Sequence, residues 1–470
     1  MNKPERPSMR LVNESPNGTP GAAERVHIIG VGGSATRGLA CFLRNKGFSV
    51  SGSDQDSESK DLLEDHGVTF FQGHDRQHLA EGIQTVIHTR AIDLQNPELL
   101  EAKDRSGIQI YTYSEYLGML SERFRTIAVA GTHGKTSTTA CLYSVFEAAG
   151  RKPSMIVGGE VAQLQAGWHC GEGEDFLVEA CEFERAFLDL KPALAIITNI
   201  DLDHPEVYSD IESVRETFRE FIGNLATDSW VICPVEVKDA LKSGERLRWR
   251  TFGTCDRADV QLLEPSGWKL ASGKSLQARL QVPGAHTRMN ASAVIALAEV
   301  LEISENQVTS GLENYRGVAR RFERRSVLPE IEWIEDYAHH PEEVRATIAT
   351  AREVYPDQKC HVLFQPHQAT RLQAFMDSFA KELSEADQVS LVPVYSVREN
   401  LDDFPRDLID QLAKSIRDHG KKCDLLGFEE AISRLPEELE IGDVLVSIGA
   451  GDVHQIGRRI REQHPGQVLQ

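Results

Sequence analysis

Thr126-Ile127-Ala128-Val129-Ala130-Gly131-Thr132-His133-Gly134-Lys135-Thr136-Ser137-Thr138-Thr139 is the stretch that decides the fold. Its first five residues are β-branched or small and apolar, as in a buried strand. A glycine-bearing loop follows, and residues 140–149 read as a helix ending at Gly150. Strand, loop and helix in that order are the context a phosphate-binding loop needs. Glycine lets successive N–H groups turn onto phosphate oxygens, and the helix N-terminus adds its positive end. Lys135 can reach the β- and γ-phosphates, and the Thr136 hydroxyl can ligate Mg²⁺. Val129 stands where the strict pattern has glycine, so Gly131 makes the early turn. A chance Gly-Lys-Thr at a helix start would lack this flanking order. Gly131, Thr132, His133, Gly134, Lys135, Thr136 and Ser137 are therefore candidate ATP contacts.

Outward from this loop, short apolar runs alternate with helical stretches. Val26-His27-Ile28-Ile29, Thr85-Val86-Ile87-His88, Ala195-Ile196-Ile197-Thr198, Cys360-His361-Val362-Leu363-Phe364 and Asp443-Val444-Leu445-Val446-Ser447 all read as strands. Near-continuous apolar strands between helices predict buried parallel sheets and an α/β fold. The 470 residues exceed what one core holds, which is roughly 250–300 residues, so two or three domains are expected. The divisions are a lead-in over 1–24, a first domain over 25–122, a central domain over 123–319 and a last domain over 320–470. Within the central domain, 249–283 reads as short strands and turns. The lead-in is rich in Pro, Asn, Gly and Glu and has no apolar core, so it is expected to be disordered rather than a secretory signal.

Fifty-one basic against 72 acidic residues give a net charge of −21, which opposes nonspecific nucleic-acid binding and docking on anionic membranes. No run approaches the ~20 apolar residues of a membrane span. The eight cysteines are scattered without a C-x-x-C pair, which fits small core residues in a reducing cytoplasm rather than a disulfide or zinc framework.

Ligands of an open α/β sheet sit beyond the carboxyl ends of its strands. Phe176-Leu177-Val178 ends on Glu179, with Glu182 after it. The strand ending at Thr198 leads to Asn199 and then Asp203-His204. Oxygen donors there suit Mg²⁺, and histidine suits it less. Acidic residues also follow strands into loops for solubility alone. A second glycine loop, Gly30-Val31-Gly32-Gly33-Ser34-Ala35, follows the first strand, with Asp54 at the end of the next. That spacing reads as a dinucleotide fingerprint, or as the holder of another pyrophosphate such as that of a UDP-sugar.

Further motifs occur in order. They are Ser51-Gly52-Ser53-Asp54, Gly73-His74, Ala91-Ile92 with Asn96-Pro97-Glu98, and Glu179-Ala180-Cys181-Glu182 with Phe187-Leu188. Pro283-Gly284-Ala285-His286 with Asn290-Ala291 and Gly317-Val318-Ala319-Arg320-Arg321-Phe322-Glu323 follow. Asp336-Tyr337-Ala338-His339-His340-Pro341, Phe364-Gln365-Pro366-His367 and Gly449-Ala450-Gly451-Asp452 close the set. From about Arg25 onward this set resembles the Mur ligases of peptidoglycan synthesis, and most of all the branch that joins L-alanine to UDP-N-acetylmuramate. The resemblance implies three domains: a Rossmann-like first, a P-loop ATPase-type centre and a Rossmann-like last. It implies a cytoplasmic enzyme, monomer or dimer, whose substrates are ATP, UDP-N-acetylmuramate and L-alanine.

In that family ATP phosphorylates the lactyl carboxylate, and the amine then displaces phosphate from the acyl phosphate. By resemblance Lys135 and His204 are catalytic, and Thr136, Glu179 and His204 hold Mg²⁺. Asn290, Arg321 and Asp336 join the ATP contacts, with His286 nearby. Gly30, Gly32, Gly33, Ser34, Asp54 and His74 hold the UDP-sugar, and Tyr337, His339, His367 and Arg371 line the amino-acid site, Arg371 by pairing the alanine carboxylate. The last domain is expected to close over ATP. The base that deprotonates the amine is not identified by the sequence.

The chain departs from the pattern at Ala35 for Gly, at Thr89-Arg90 for a serine pair facing the uridine nucleotide, at Thr287 for Asn and at Ala338 for Gly. Gln368 replaces Arg and Ala369 an aromatic. These touch the substrate ends and leave the ATP motifs intact. Three alternatives remain. A tripeptide-recycling ligase of the same superfamily usually carries an Asp-Glu-Tyr-Asp run and a longer insertion, whereas here Glu182 to Leu190 runs directly into Lys191-Pro192. An NAD-dependent oxidoreductase gives the second phosphate loop no role. A silent binding protein would not need Lys135, Thr136, Glu179 and His204.

Overall fold

The computed structural model describes residues 24–241, 246–263, 267–325, 327–328, 330–396 and 399–463. The lead-in expected over 1–24 lies outside them but for Glu24. The chain forms two compact units. One runs through Ile200 and also takes Arg215–Arg279 and Asn290–Arg316. The other takes Asp201–Val214, Leu280–Met289 and the chain from Gly317 onward.

The first unit opens with β1 (Arg25–Ile29), β2 (Ser49–Asp54), β3 (Thr69–Gln72), β4 (Thr85–His88) and β5 (Gln109–Thr112). They form an all-parallel sheet in the order β3-β2-β1-β4-β5. Parallel neighbours need crossovers, and the helices Ser34–Asn45 and Pro97–Asp104 supply two of them. Ile29, Val86, Leu99 and Ala102 pack together beneath this sheet.

Glu98 is also fully buried there. Its carboxylate accepts from the Ser53 hydroxyl at 2.5 Å and lies 3.2 Å from His74 Nδ1, 2.6 Å from His78 Nδ1 and 3.8 Å from His27 Nε2. Burial pushes this carboxyl up, but the hydroxyl and imidazoles outweigh it and hold it at about 2, against an ordinary 4.5. A depressed carboxyl stabilises the fold above its unfolded pKa and loses that contribution as pH falls through the folded one. The window is therefore from 4.5 down to about 2. Over it, wild type should lose about 3 kcal/mol that a Glu98→Gln variant does not. Amide exchange in β1 and β2 across this range measures the difference, and parallel acid limbs in the two proteins would refute it.

The same unit holds a second sheet. Its strands are β6 (Arg125–Ala130), β7 (Ser154–Val161), β8 (Ala166–His169), β9 (Asp175–Glu179), β10 (Leu194–Ile197), β11 (Trp230–Pro234), β12 (Arg248–Gly253), β13 (Val260–Leu262), β14 (Trp268–Lys269) and β15 (Ser275–Leu276). Their order is β15-β14-β13-β12-β11-β10-β6-β9-β7-β8. Strands β10, β6 and β9 are adjacent and parallel, with Ala130 opposite Ile197 and Val129 opposite Glu179. Three loops thus leave the sheet side by side. Over 249–283 the short strands β12 to β15 run apart from residues 264–266, which are not among those described.

The helix after the loop is Lys135–Ala148, five residues longer at its start than the sequence suggests. Ser and Thr at 136–139 are weak helix formers because their hydroxyls compete for backbone groups. Here Thr139 bonds the Lys135 carbonyl one turn back at 2.9 Å, and Thr138 and Thr139 are fully buried. Packing overrides propensity.

The second unit is built on β16 (Glu323–Arg325), β17 (Glu332–Asp336), β18 (Cys360–Phe364), β19 (Gln388–Leu391), β20 (Lys422–Leu425) and β21 (Val444–Ile448), in the order β16-β17-β21-β18-β19-β20. Only β16 runs antiparallel. Side chains alternate between two cores: Val362, Phe364, Val446 and Ile448 on one face, Trp333, Leu363 and Leu445 on the other. This is why these strands read as unbroken apolar runs. Among the described residues no helix is long and apolar enough to cross a membrane.

Candidate active site

At the end of β6, Gly131 has φ +132, and a Cβ there would fall 2.0 Å from the Thr198 hydroxyl. Gly134 has φ +79 and caps the helix, and a Cβ there would fall 2.7 Å from Asn290 Oδ1. Both glycines are thus required by space as well as by backbone angle. The loop is fastened from β10. Asn199 Oδ1 accepts from His133 N at 2.9 Å, Asn199 Nδ2 donates to His133 O at 3.0 Å, and the Thr198 hydroxyl donates to the same carbonyl at 2.6 Å. Two residues after a strand therefore fix the loop's curvature. Sequence reading gave Asn199 as a strand end and a motif residue, without this bracing role. A Thr-Asn pair facing a glycine loop is a signal visible only once the strands are known to be neighbours.

Lys135 Nζ donates to Gly131 O at 2.7 Å, to Thr132 O at 3.0 Å and to Glu182 Oε2 at 2.8 Å. Burial favours the neutral amine, but Glu182, Cys181 and Glu179 outweigh it and raise the pKa above the ordinary lysine value. Lys135 is a cation laid across the mouth of the loop. Glu182, only 2% exposed, is its main counter-charge. The sequence named Glu182 as a motif residue and gave it no role. The Thr136 hydroxyl donates to Glu179 Oε2 at 2.8 Å, and Gly158 N donates to the same oxygen at 2.9 Å. A hydroxyl and a carboxylate so close make a hard-oxygen donor pair that fits Mg²⁺. Lys135, Thr136, Glu179 and Asn290 thus lie around one loop.

At the first glycine loop, Gly30 has φ +80 and its N–H bonds Ser53 O at 2.8 Å. Gly33 caps the helix that begins at Ser34, and Thr36 bonds the Gly30 carbonyl at 2.6 Å. Two of the candidate sugar-nucleotide residues also hold the protein's own groups. Asp54 Oδ2 accepts from Gly32 N at 2.9 Å, which fastens the loop. His74 spends Nδ1 on Ser53 and Glu98. A short turn beside an acid allows the first, and a buried carboxylate short of donors demands the second.

The second unit holds the remaining candidates. Tyr337, His339 and His367 form a run of edge-on rings, with centroids 5.5 and 5.8 Å apart, and Tyr395 lies 6.0 Å beyond His367. Arg321 lies over Tyr337 at 5.1 Å. Burial holds the His339 imidazole down at about 4, with Glu343 opposing and Arg371 adding to the effect. His286 is likewise held at about 4 by burial and by Arg321 and Arg288. Both rings are neutral at pH 7. His204 has φ +55 and places Nδ1 3.3 Å from Glu206.

Two more candidates are bonded within this unit. Arg371, expected to meet the amino-acid carboxylate, is 4% exposed and bonds Asp203 at 2.9–3.0 Å through Nη2 and Nε. Its Nη1 lies 3.2 Å from His367 Nδ1. A buried guanidinium requires a counter-charge, and Asp203 provides it. Asp336, expected among the ATP contacts, accepts from the N–H groups of Phe322 and Ala338 at 2.8 Å and is fixed to its own backbone.

Three family descriptions match the chain in order. "Mur ligase family, catalytic domain" covers residues 25–125, "Mur ligase middle domain" 129–298, and "Mur ligase, glutamate ligase domain" 320–451. The UDP-N-acetylmuramate–L-alanine ligase of Clostridium perfringens is 35% identical over 448 residues, which is 92% of this chain and 97% of that protein. The enzyme of the same name from Acidobacterium capsulatum is 35% identical over 454 residues, 94% and 98% of the two chains. The crystal structure of UDP-N-acetylmuramate–alanine ligase from Thermotoga maritima superposes with a TM-score of 0.79 at 28% identity, over 94% of this chain and 99% of that one. A murein peptide ligase from Psychrobacter arcticus gives 0.70 at 21% identity, over 95% and 100%, a likeness of fold. Three α/β domains in sequence, the phosphate loop with its bonded Thr136–Glu179 pair, and relatives above 30% identity over nearly their whole length lead to one statement: the chain belongs to the Mur ligase family.

Proposed function

We propose that this chain is an ADP-forming ligase that joins L-alanine to the lactyl carboxylate of UDP-N-acetylmuramate at the expense of ATP, in the cytoplasm, for peptidoglycan synthesis. The observation that carries the reading is the loop 131–136 with Lys135 across its mouth and Thr136 bonded to Glu179. The blocks 25–122, 123–319 and 320–470 take the UDP-sugar, ATP and the amino acid in turn.

A carboxylate that approaches a triphosphate meets like charge, and catalysis has to neutralise it. Lys135 leaves Glu182 for the β- and γ-phosphates and screens that repulsion. The loop N–H groups and the helix N-terminus at Lys135 orient the phosphates. Thr136 and Glu179 would hold Mg²⁺. When bound, that ion supplies Lewis-acid neutralisation of phosphate charge. Asn290 lies against Gly134, where it limits how the loop can open. Gly30, Gly32, Gly33 and Ser34 are the candidate holders of the UDP pyrophosphate. The neutral His339, beside Tyr337 and His367, lines the candidate amino-acid site.

The test is phosphate release with ATP, Mg²⁺ and UDP-N-acetylmuramate, in parallel with L-alanine, glycine, L-serine and the murein tripeptide. Release with L-alanine is expected. No release with any single amino acid sinks the proposal, and release with the tripeptide alone selects the recycling ligase instead.

A further inference from the structure

Arg90 replaces a residue expected to face the uridine nucleotide, and its guanidinium is bonded to the chain. Nη1 donates to the Glu184 carbonyl at 2.6 Å and Nη2 to the Ser114 hydroxyl at 3.3 Å. The carboxylates of Glu184 and Asp189 lie 3.8 and 3.6 Å away. Arg90 thus grips the segment that follows the Glu179–Glu182 motif.

That segment is strained. Glu184 (φ 48, ψ 27) and Arg185 (φ 60, ψ 22) are consecutive left-handed residues, neither of them glycine. A side chain beyond Cβ adopts this conformation only where its surroundings impose it. Both sides of the turn are anchored. Phe187 is buried and stacks on Phe221 with centroids 4.6 Å apart, and Arg185 pairs with Glu220. A Cβ on Gly118 would fall 2.4 Å from the Asp189 carbonyl, so the segment lies close on the helix Tyr113–Glu122. Within the turn, the Glu184 carbonyl is the group Arg90 holds. Two residues earlier stands Glu182, the counter-charge of Lys135. One residue before Arg90 stands Thr89, whose methyl would lie 3.1 Å from a Cβ on Gly30. Close packing of Thr89 on Gly30, the chain itself and hydrogen bonds therefore join the first glycine loop to the phosphate-loop lysine.

We propose that Arg90 is a positioning residue that holds the strained turn at Glu184–Arg185 and so fixes the Glu182 carboxylate against Lys135. The idea rests on reading 131–136 as the phosphate loop only for its consequence in catalysis. Without Arg90 the two left-handed residues relax, the chain direction after Glu182 changes, and Lys135 loses its partner. Lys135 is only 12% exposed while Glu182 holds it, so moving or removing that carboxylate opens the amine to reagent.

The readout is the rate of Lys135 acetylation by acetic anhydride at pH 8 in the ligand-free full chain, followed by mass spectrometry. Since no substrate is present, its result stands whatever the phosphate-release assay gives. Arg90→Ser should raise the rate threefold or more, Glu182→Gln should do the same, and the double variant should add nothing further. A rise under threefold in Arg90→Ser overturns the proposal. So does an undiminished rise when Arg90→Ser is added to Glu182→Gln, since Arg90 would then act without Glu182. Amide-exchange protection of β1 and β6 checks that each variant folds. If Arg90→Ser does not, Arg90→Met, which keeps the aliphatic stem but offers no donor to the Glu184 carbonyl, is read by the same threefold criterion.

Discussion

Replacing Lys135 with alanine is expected to lower phosphate release by at least about 10³-fold while the chain still folds. The size follows from position. Lys135 is the cation laid over the loop, within 3.0 Å of the Gly131 and Thr132 carbonyls, where phosphate oxygens would arrive. Removing it also has a structural cost, because Glu182 is 2% exposed and loses the ammonium at 2.8 Å. A buried carboxylate deprived of its counter-charge destabilises by a few kcal/mol or takes up a proton. Lys135→Ala should therefore be both inactive and less stable, and adding Glu182→Gln should recover the stability without the activity. Phosphate release gives the first result and urea unfolding the second. Activity within tenfold of wild type would remove Lys135 from the mechanism. Equal stability of single and double variants would show that the pair contributes nothing to the fold.

The phosphate loop was legible because its requirements are local. A strand, two glycines, a lysine and a threonine fall within eleven residues, and each is dictated by backbone geometry or by charge. The Thr136–Glu179 pair was legible one step further, since both stand at strand ends and open α/β sheets gather ligands there. The brace of Thr198 and Asn199 was not, because its meaning depends on β10 lying beside β6, and sequence does not print strand order. The start of the helix at Lys135 was hidden by four hydroxyl residues whose propensity points away from helix. Asp54, His74, Asp336 and Arg371 share a second duty that the sequence did not show. Each is a polar residue in a motif, and motif membership does not distinguish a group that meets ligand from one that satisfies the protein's own buried donors and charges. Glu98 and Asp203 show how strong the second demand is. Each gathers several partners, and in each the carboxyl is held below its ordinary range although burial alone would push it up.

Asp203→Ala is expected to destabilise the second unit by about 3–5 kcal/mol, because it strands the Arg371 guanidinium where only 4% of its side chain meets solvent. His367 Nδ1, 3.2 Å from Nη1, can accept one hydrogen bond but cannot neutralise the charge. Asp203→Ala with Arg371→Met removes both charges and fills much of the vacated volume, so it should recover most of the loss. Urea unfolding followed by amide exchange in β18 and β21 measures both, and a single-variant loss under about 1 kcal/mol would mean that the pair is screened by water and structurally idle. The rescued double variant then decides what Arg371 does in the reaction. If the guanidinium only supports the ring cluster of Tyr337, His339 and His367, restored stability should restore the KM for L-alanine. If it leaves Asp203 to take the alanine carboxylate, that KM stays more than tenfold high in a chain that folds as well as wild type, since a methionine thioether cannot replace a bidentate cation.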